Sequence, residues 1–348
     1  MSISKAILHI GAGKCGSSAL QEYLSKSVDL RDRENRIVQY GVLLSGGRIA
    51  TGEKVREQAL SSVFQYASST NLPDLQSSYS LAETLKSLDE ISADTLILSC
   101  ESWINDPEIA EELLTWLSHC EVDIVAYVRP PVLWLNSAWW QWGAWSSAEF
   151  EHWINVNESM SYWSSYIKRW ETVSFINKIS VRLLASDIVS DFLNLNGIRE
   201  AAADGSQQGR FSNVSLPGSV LRVYQKYPEL RPSPHESKID FSLSRHLKEI
   251  EQSADWVISN DKVQEIIENT LPYNEQLKGY LDSSQLDYFN SDTHWWSADA
   301  YQKHADTPSK REITEEETRE IVVNSLYSLH RAEQEIISLK KQLRKVDA

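Results

Sequence analysis

A chain of 348 residues, 41% hydrophobic and 24% charged, is long enough for one large domain or one domain with additions, and this composition excludes wholesale disorder. Lys and Arg total 34 against 49 Asp and Glu, a net charge of −15, which argues against a general binder of nucleic acid or anionic membrane. Any polyanionic small molecule must then be held by a few local basic groups.

Cys15, Cys100 and Cys120 form no disulfide framework, which fits a reducing compartment. The opening MSISKAILHI holds too short an apolar stretch for a signal peptide, and no run of about 18 apolar residues predicts a membrane span. A soluble, cytoplasmic protein is expected.

Residues 5–11 (KAILHIG) read as a short buried strand entering a glycine-bearing turn. From Ser17 a helix begins, with Ser17 and Ser18 as candidate caps and Leu20, Tyr23 and Leu24 on one face. Residues 37–45 are a second strand or edge segment ending at Gly46-Gly47, and 53–67 and 80–90 look helical. TLILSCE (95–101) and VDIVAYVR (122–129) are buried strands around a helix over 107–118 that starts at Pro107, which implies a right-handed parallel crossover. A helical stretch over about 131–172 carries six of the 13 tryptophans between Trp134 and Trp153. ISVRLLA (179–185) is the next strand, and 187–198 is a helix closed by Gly197.

Residues 201–212 are small and polar and read as a loop. Helical spacing returns over 217–227, 243–251, 260–269 and 273–281, and 285–311 are irregular. The last stretch, about 312–346, is one helix with Val322, Leu329, Ile336 and Leu343 at seven-residue intervals. Glu333 and Lys340 interrupt the companion positions. The spacing therefore fits either a short coiled-coil seam joining a homo-oligomer or a helix packed on its own domain.

The turn after the first strand is Gly11-Ala12-Gly13-Lys14-Cys15-Gly16-Ser17-Ser18. Glycines let an anion approach the backbone, the N–H groups of the following helix point at it, and Lys14 and the two hydroxyls add charge and donors. A tight connection with no ligand is the plainer alternative. The ATP-binding form G-x-x-x-x-G-K-[ST] needs Lys directly after the last Gly and directly before the hydroxyl. Here Lys14 precedes Gly16, and no Asp follows a buried strand as a clear magnesium partner, so a kinase with a deviant loop is disfavoured.

HIGAGKCGSSALQ resembles the 5′-phosphosulfate loop of sulfotransferases, H-I-G-x-x-K-T-G-[TS]-[TS]-x-L-Q, at His9, Ile10, Gly11, Lys14, Gly16, Ser17, Ser18, Leu20 and Gln21. Cys15 replaces the usual Thr. Such a site either tolerates the change, since that residue contributes chiefly its backbone N–H, or becomes oxidation-sensitive. In the same family an Arg at a strand end and a Ser eight residues later hold the cofactor's 3′-phosphate, and Arg129 and Ser137 have that spacing, with Pro130 and Pro131 ending the strand and starting the helix. Ser137-Ala-Trp-Trp-Gln141 is similar to the family's S-x-x-x-Q continuation, Tyr166 to Trp170 with VRLLASDIVSDFLNLNGI to its strand–helix ending, and Arg210-Phe211-Ser212-Asn213-Val214-Ser215-Leu216 to a late segment of bacterial polysaccharide-type members. The motifs span about 5–216, and the helical pattern continues to about 290.

The resemblance implies an α/β fold: a P-loop-NTPase-like central parallel β-sheet flanked by helices, with a mainly helical C-terminal portion. Residues 1–216 would be the α/β core, 217–311 its helical continuation and 312–348 a C-terminal helix. It implies transfer of a sulfuryl group from 3′-phosphoadenosine 5′-phosphosulfate (PAPS) to an acceptor hydroxyl, with adenosine 3′,5′-bisphosphate (PAP) as product and no metal. Gly11, Gly13, Lys14, Cys15, Gly16, Ser17, Ser18, Arg129, Ser137, Arg210 and Phe211 would bind the cofactor, and Lys14 with the helix N-terminus would stabilise the leaving phosphate. Relatives place a His or Glu base in one of two places. Here these hold Glu101, at the end of TLILSCE, and Glu53 as the reserve; His9 lies inside a strand and reads as packed. Trp103, Trp139 and Trp140 are candidates to line an acceptor groove, a glycan being the expected class, although amphipathic helices also bury tryptophan as core. A non-catalytic binding module on the same scaffold is the alternative.

Overall fold

The computed structural model describes residues 3–145, 149–184, 187–200, 216–233, 236–247, 255–305 and 312–346. The chain falls into two compact units. One comprises Met1–Ala138, Ile154–Asn213 and Ile258–Lys303, and the other Trp139–Trp153, Val214–Val257 and His304–Ala348.

The first unit is built on an eight-stranded sheet: β1 (Lys5–His9), β2 (Leu30–Asp32), β3 (Ile37–Leu43), β4 (Ile49–Thr51), β5 (Thr95–Ser99), β6 (Glu121–Val128), β7 (Lys178–Leu183) and β8 (Ile198–Arg199). The order is β7-β6-β1-β5-β3-β2-β8, with β4 also paired to β3. The five strands from β7 to β3 run parallel, and β2, β4 and β8 are antiparallel additions. The parallel strands read as unbroken apolar runs because helices cover them: every residue of β5 is buried, as are seven of the eight in β6. Ile7, Leu8, Leu96, Leu98 and Val125 form the centre of this core.

This is the expected α/β architecture with a mostly parallel sheet. β5 and β6 are parallel but not neighbours, since β1 lies between them. Helix Pro107–Leu113 and a 3₁₀ turn over Thr115–His119 carry the chain across β1. The chain order reverses at β1, and the crevice at the carboxyl ends of the strands on either side of such a point is where open α/β sheets bind ligands.

Several element boundaries differ from the spacing-based reading. The helix expected over 53–67 ends at Ser61, and the short helix Leu72–Gln76 follows, capped by the Asn71 side chain. The stretch 131–172 is three helices, Pro131–Gln141, Phe150–Asn157 and Trp163–Trp170, separated by 3₁₀ turns. Residues 260–281 start with one helix, Asn260–Leu277, that runs through Pro272. The segment read as irregular holds helix Ser283–Ser291, started by the Asp282 carboxylate accepting from the Gln285 N–H, and helix Gln302–Ala305. Among the described residues no helix is long and apolar enough to cross a membrane.

The second unit contains helices Gly218–Lys226, Lys238–His246 and Glu315–Val346. The 243–251 helix of the sequence reading is displaced to Lys238–His246; residues 248–251 lie outside the described residues. Gly143 occurs here for want of space, because a Cβ on it would lie 2.2 Å from Trp139 Cε3. The buried Arg222 pairs with Asp255 and, at 2.6 Å, with Glu317, tying the start of the long C-terminal helix to this unit.

Candidate functional site

Three loops leave the sheet at the carboxyl ends of adjacent strands: 10–16 after β1, Glu101 after β5, and Arg129 after β6. In the first, the Cys15 N–H donates to the Ala12 carbonyl at 3.3 Å and closes a turn, and Lys14 takes φ +65°. A non-glycine residue in this region costs about 1–3 kcal/mol and is held only where its surroundings demand it. Gly16 follows at φ +86° as the cap of helix Ser17–Lys26. It is glycine for two reasons: the left-handed backbone, and the Ile188 methyl that a Cβ would approach to 2.9 Å.

The expected serine cap is not formed. No side chain caps this helix, and the buried Ser17 hydroxyl has no hydrogen-bond partner among the described residues. A buried hydroxyl without a partner, beside the free N–H groups of a helix's first turn, suits an anion that accepts from both. Ser18 is engaged by Tyr66, whose hydroxyl hydrogen-bonds it.

His9 lies against the loop, as the packed residue the sequence suggested. It is wholly buried, its Nδ1 is 2.8 Å from the Ser99 hydroxyl, and Ser99 also accepts from Gln21 Nε2 at 3.0 Å. Burial pushes its pKa down to about 4, so the ring is neutral near pH 7. A Cβ on Gly11 would sit 2.8 Å from His9 Nε2, so the loop passes directly over the imidazole.

Arg129 donates from Nη1 to the Lys14 carbonyl at 3.2 Å, joining the third loop to the first. Burial holds its pKa below the ordinary arginine value, and among the described residues no carboxylate forms an ion pair with it. A desolvated guanidinium lacking a carboxylate partner is half of an anion site. Ser137 lies two turns into the helix that starts at Pro131 and is half-buried.

Two tryptophans fix these loops. Trp134 Nε1 donates to the Gly13 carbonyl at 2.8 Å, and Trp163 Nε1 to the Arg129 carbonyl at 2.9 Å. Their rings meet edge to face with centroids 5.3 Å apart. Spacing alone gave no sign of this role, nor of Tyr66 and Tyr301, which come from distant segments to lie near Glu101 and Arg129 respectively.

Glu101 opens a 3₁₀ turn directly after β5. Burial raises its carboxyl pKa, and the nearby Lys14 ammonium opposes that rise. Cys15 lies within electrostatic reach of Arg129, Glu101 and Lys14, but it is fully buried and its thiol is pushed up to about 12. The oxidation-sensitivity considered for Cys15 is therefore not expected: the thiol stays protonated and sealed from solvent.

Other candidates lie elsewhere. Glu53 is exposed at the start of helix Glu53–Ser61 and pairs with Arg56 at 3.3 Å in the same helix; none of its described interactions reaches the loop. Trp103 is wholly buried, with Nε1 donating to the Thr70 carbonyl at 2.9 Å, so it belongs to the core and not to an acceptor groove. Trp139 and Trp140 are core as well: Trp139 packs on Phe150 and Trp153, and Trp140 Nε1 donates to the Asp255 carbonyl at 2.7 Å. Arg210 and Phe211 lie outside the described residues. Among the described residues no group of three His, Cys, Asp or Glu side chains is placed to hold a metal ion.

Neither a scan against protein-family models nor a search of curated proteins finds a match. Among solved structures, the chain is similar to a crystal structure of a sulfotransferase from Alicyclobacillus acidocaldarius. The similarity has a TM-score of 0.41 and 13% sequence identity, covering 81% of this chain and 98% of that one.

Proposed function

We propose that this protein is a PAPS-dependent sulfotransferase that transfers a sulfuryl group to the hydroxyl of an acceptor. The observation that carries the reading is the pairing of two incomplete anion sites at one sheet edge. One is the Lys14 loop with the Ser17 hydroxyl, which has no partner among the described residues, and the other is Arg129, which pairs with no carboxylate among them and is hydrogen-bonded to that same loop. Two anion sites one loop apart suit a ligand phosphorylated at two positions.

In this reading Gly11, Gly13, Lys14, Cys15, Gly16, Ser17 and Ser18 hold the 5′-phosphosulfate, and Arg129 with Ser137 holds the 3′-phosphate. When bound, PAPS supplies an activated sulfuryl group on a phosphate leaving group. Lys14 and the first N–H groups of helix Ser17–Lys26 concentrate positive charge where the leaving phosphate gains negative charge. Glu101, held near Lys14, accepts the proton of the acceptor hydroxyl. Because Trp103, Trp139 and Trp140 are buried, tryptophan stacking no longer supports a glycan in particular, and the acceptor is proposed as a hydroxyl compound. The three free cysteines favour a reducing compartment such as the cytoplasm.

Calorimetric titration of the full chain with PAP, ADP and ATP, without metal, tests this reading. PAP is expected to bind clearly tighter than ADP. Arg129→Ala is expected to remove that preference, weakening PAP by roughly tenfold to a hundredfold, the scale of lost hydrogen bonds to a charged group. Equal binding of PAP and ADP, or a magnesium-dependent preference for ATP, would overturn it.

A further inference from the structure

Helix Glu315–Val346 carries eight of the 15 large apolar side chains that are exposed among the described residues: Val322, Val323, Leu326, Tyr327, Leu329, Ile336, Ile337 and Leu339. Its other face is already used. Glu317 pairs with Arg222, and Ile321, Asn324 and Ser328, spaced four, three and four residues on, are buried or half-buried against their own unit. The expectation of a helix packed on its own domain therefore accounts for one face only, and for residues up to about 332. From Glu333 to Gln342 every residue is exposed. Leu329 is 68% exposed, Leu326 62% and Ile336 50%, and so many large apolar side chains exposed along one helix are unusual on a monomer.

The stripe runs Val322, Leu326, Leu329, Glu333, Ile336, Lys340 and Leu343, alternating steps of four and three. This is the spacing of a coiled-coil seam, interrupted by one acid and one base. The two charges decide what covers it. A parallel, in-register pair would put Glu333 against the partner's Glu333 and Lys340 against the partner's Lys340, like charges inside the seam. An antiparallel pair with Leu329 level with the partner's Lys340 sets Glu333 against the partner's Ile336. The aliphatic stem of each lysine then covers a leucine, and its ammonium reaches the glutamate one turn along. The stripe is thus complementary to itself read backwards.

We propose that helix Glu315–Val346 pairs antiparallel with the same helix of a second copy of this chain, through Leu326, Leu329, Glu333, Ile336 and Lys340. The face is isologous, so the assembly closes as a two-fold dimer and does not propagate. It is independent of the sulfotransferase reading.

Sedimentation velocity of the full chain at micromolar concentration tests it. Wild type is expected to be a dimer, and the double variant Leu329→Asp with Ile336→Asp a folded monomer, with unchanged far-ultraviolet circular dichroism because both side chains are exposed. Glu333→Lys alone and Lys340→Glu alone are each expected to weaken the dimer roughly tenfold or more by placing like charges together, and the two combined to restore it. A monomeric wild type, including one that is monomeric alone yet binds a different protein through this helix, would overturn the proposal. So would a dimer that survives the double aspartate variant. Failure of the combined charge swap to restore association would overturn the antiparallel arrangement.

Discussion

At the residue scale, the buried ionisable groups beside the loop set the pH behaviour. His9 is wholly buried and neutral, with a pKa near 4 against an ordinary 6.5. A histidine whose pKa is depressed by folding contributes stability that is complete above the unfolded value and is lost as pH falls through the folded one. The expected loss between pH 6.5 and 4 is about 3 kcal/mol from this residue. Urea denaturation at several pH values should show it, and a His9→Asn variant should flatten that segment of the curve. If the two curves keep the same slope, His9 is not the group responsible. Glu101 shifts the other way, since burial favours its protonated form. As the proposed base it must be ionised, so the acid limb of the kcat/KM profile should lie above the usual carboxylate range. Glu101→Gln should lower turnover roughly a hundredfold and leave PAP affinity nearly unchanged. Unaltered turnover would remove Glu101 from the reaction.

The loop-to-helix junction is the informative element. Gly16 and Gly46 have nearly the same backbone angle, φ +86° and +85°, but very different surroundings: a Cβ at Gly16 meets Ile188 at 2.9 Å and Leu184 at 3.0 Å, whereas at Gly46 nothing lies within 4 Å. Gly46→Ala should cost only the left-handed backbone, about 1 kcal/mol, while Gly16→Ala should cost at least about 1 kcal/mol more and displace the start of the helix. Chemical denaturation of the two variants compares them directly. Equal losses would mean that Gly16 is needed for its backbone alone. The paired tryptophans belong to this scale too. Trp134 and Trp163 donate to the carbonyls of Gly13 and Arg129, so the two turns are anchored by indole N–H groups from separate helices.

At the scale of the whole molecule, dimerisation through the C-terminal helix makes apparent stability depend on protein concentration, so denaturation curves are to be compared at fixed concentration. The same scale shows where reading the chain succeeds and where it stops. The strands at 5–11, 95–101, 122–129 and 179–185, the turn from Gly11 to Ser18 and the Arg129–Ser137 spacing were legible in the chain, because each is written in a few consecutive residues whose periodicity or backbone demands are local. Residues 37–45 stayed open between strand and edge segment until β3 paired with β5. Sequence alone missed β2, β4 and β8, which at two or three residues are too short to show a periodicity; β2 and β4 pair with the neighbouring β3, and only β8 pairs with a strand distant in the chain. It placed Glu101 first and Glu53 in reserve, but only the order β6-β1-β5 set Glu101 near Lys14 while Glu53 paired with Arg56. Tryptophan count suggested a stacking surface, but burial of a large indole is decided by what packs on it, and Trp103, Trp139 and Trp140 proved to be core. The heptad-spaced C-terminal helix was legible as a pattern. Which of its faces its own unit occupies, and which it leaves open, depended on Arg222 meeting Glu317 across 95 residues of chain, a contact that no local spacing encodes.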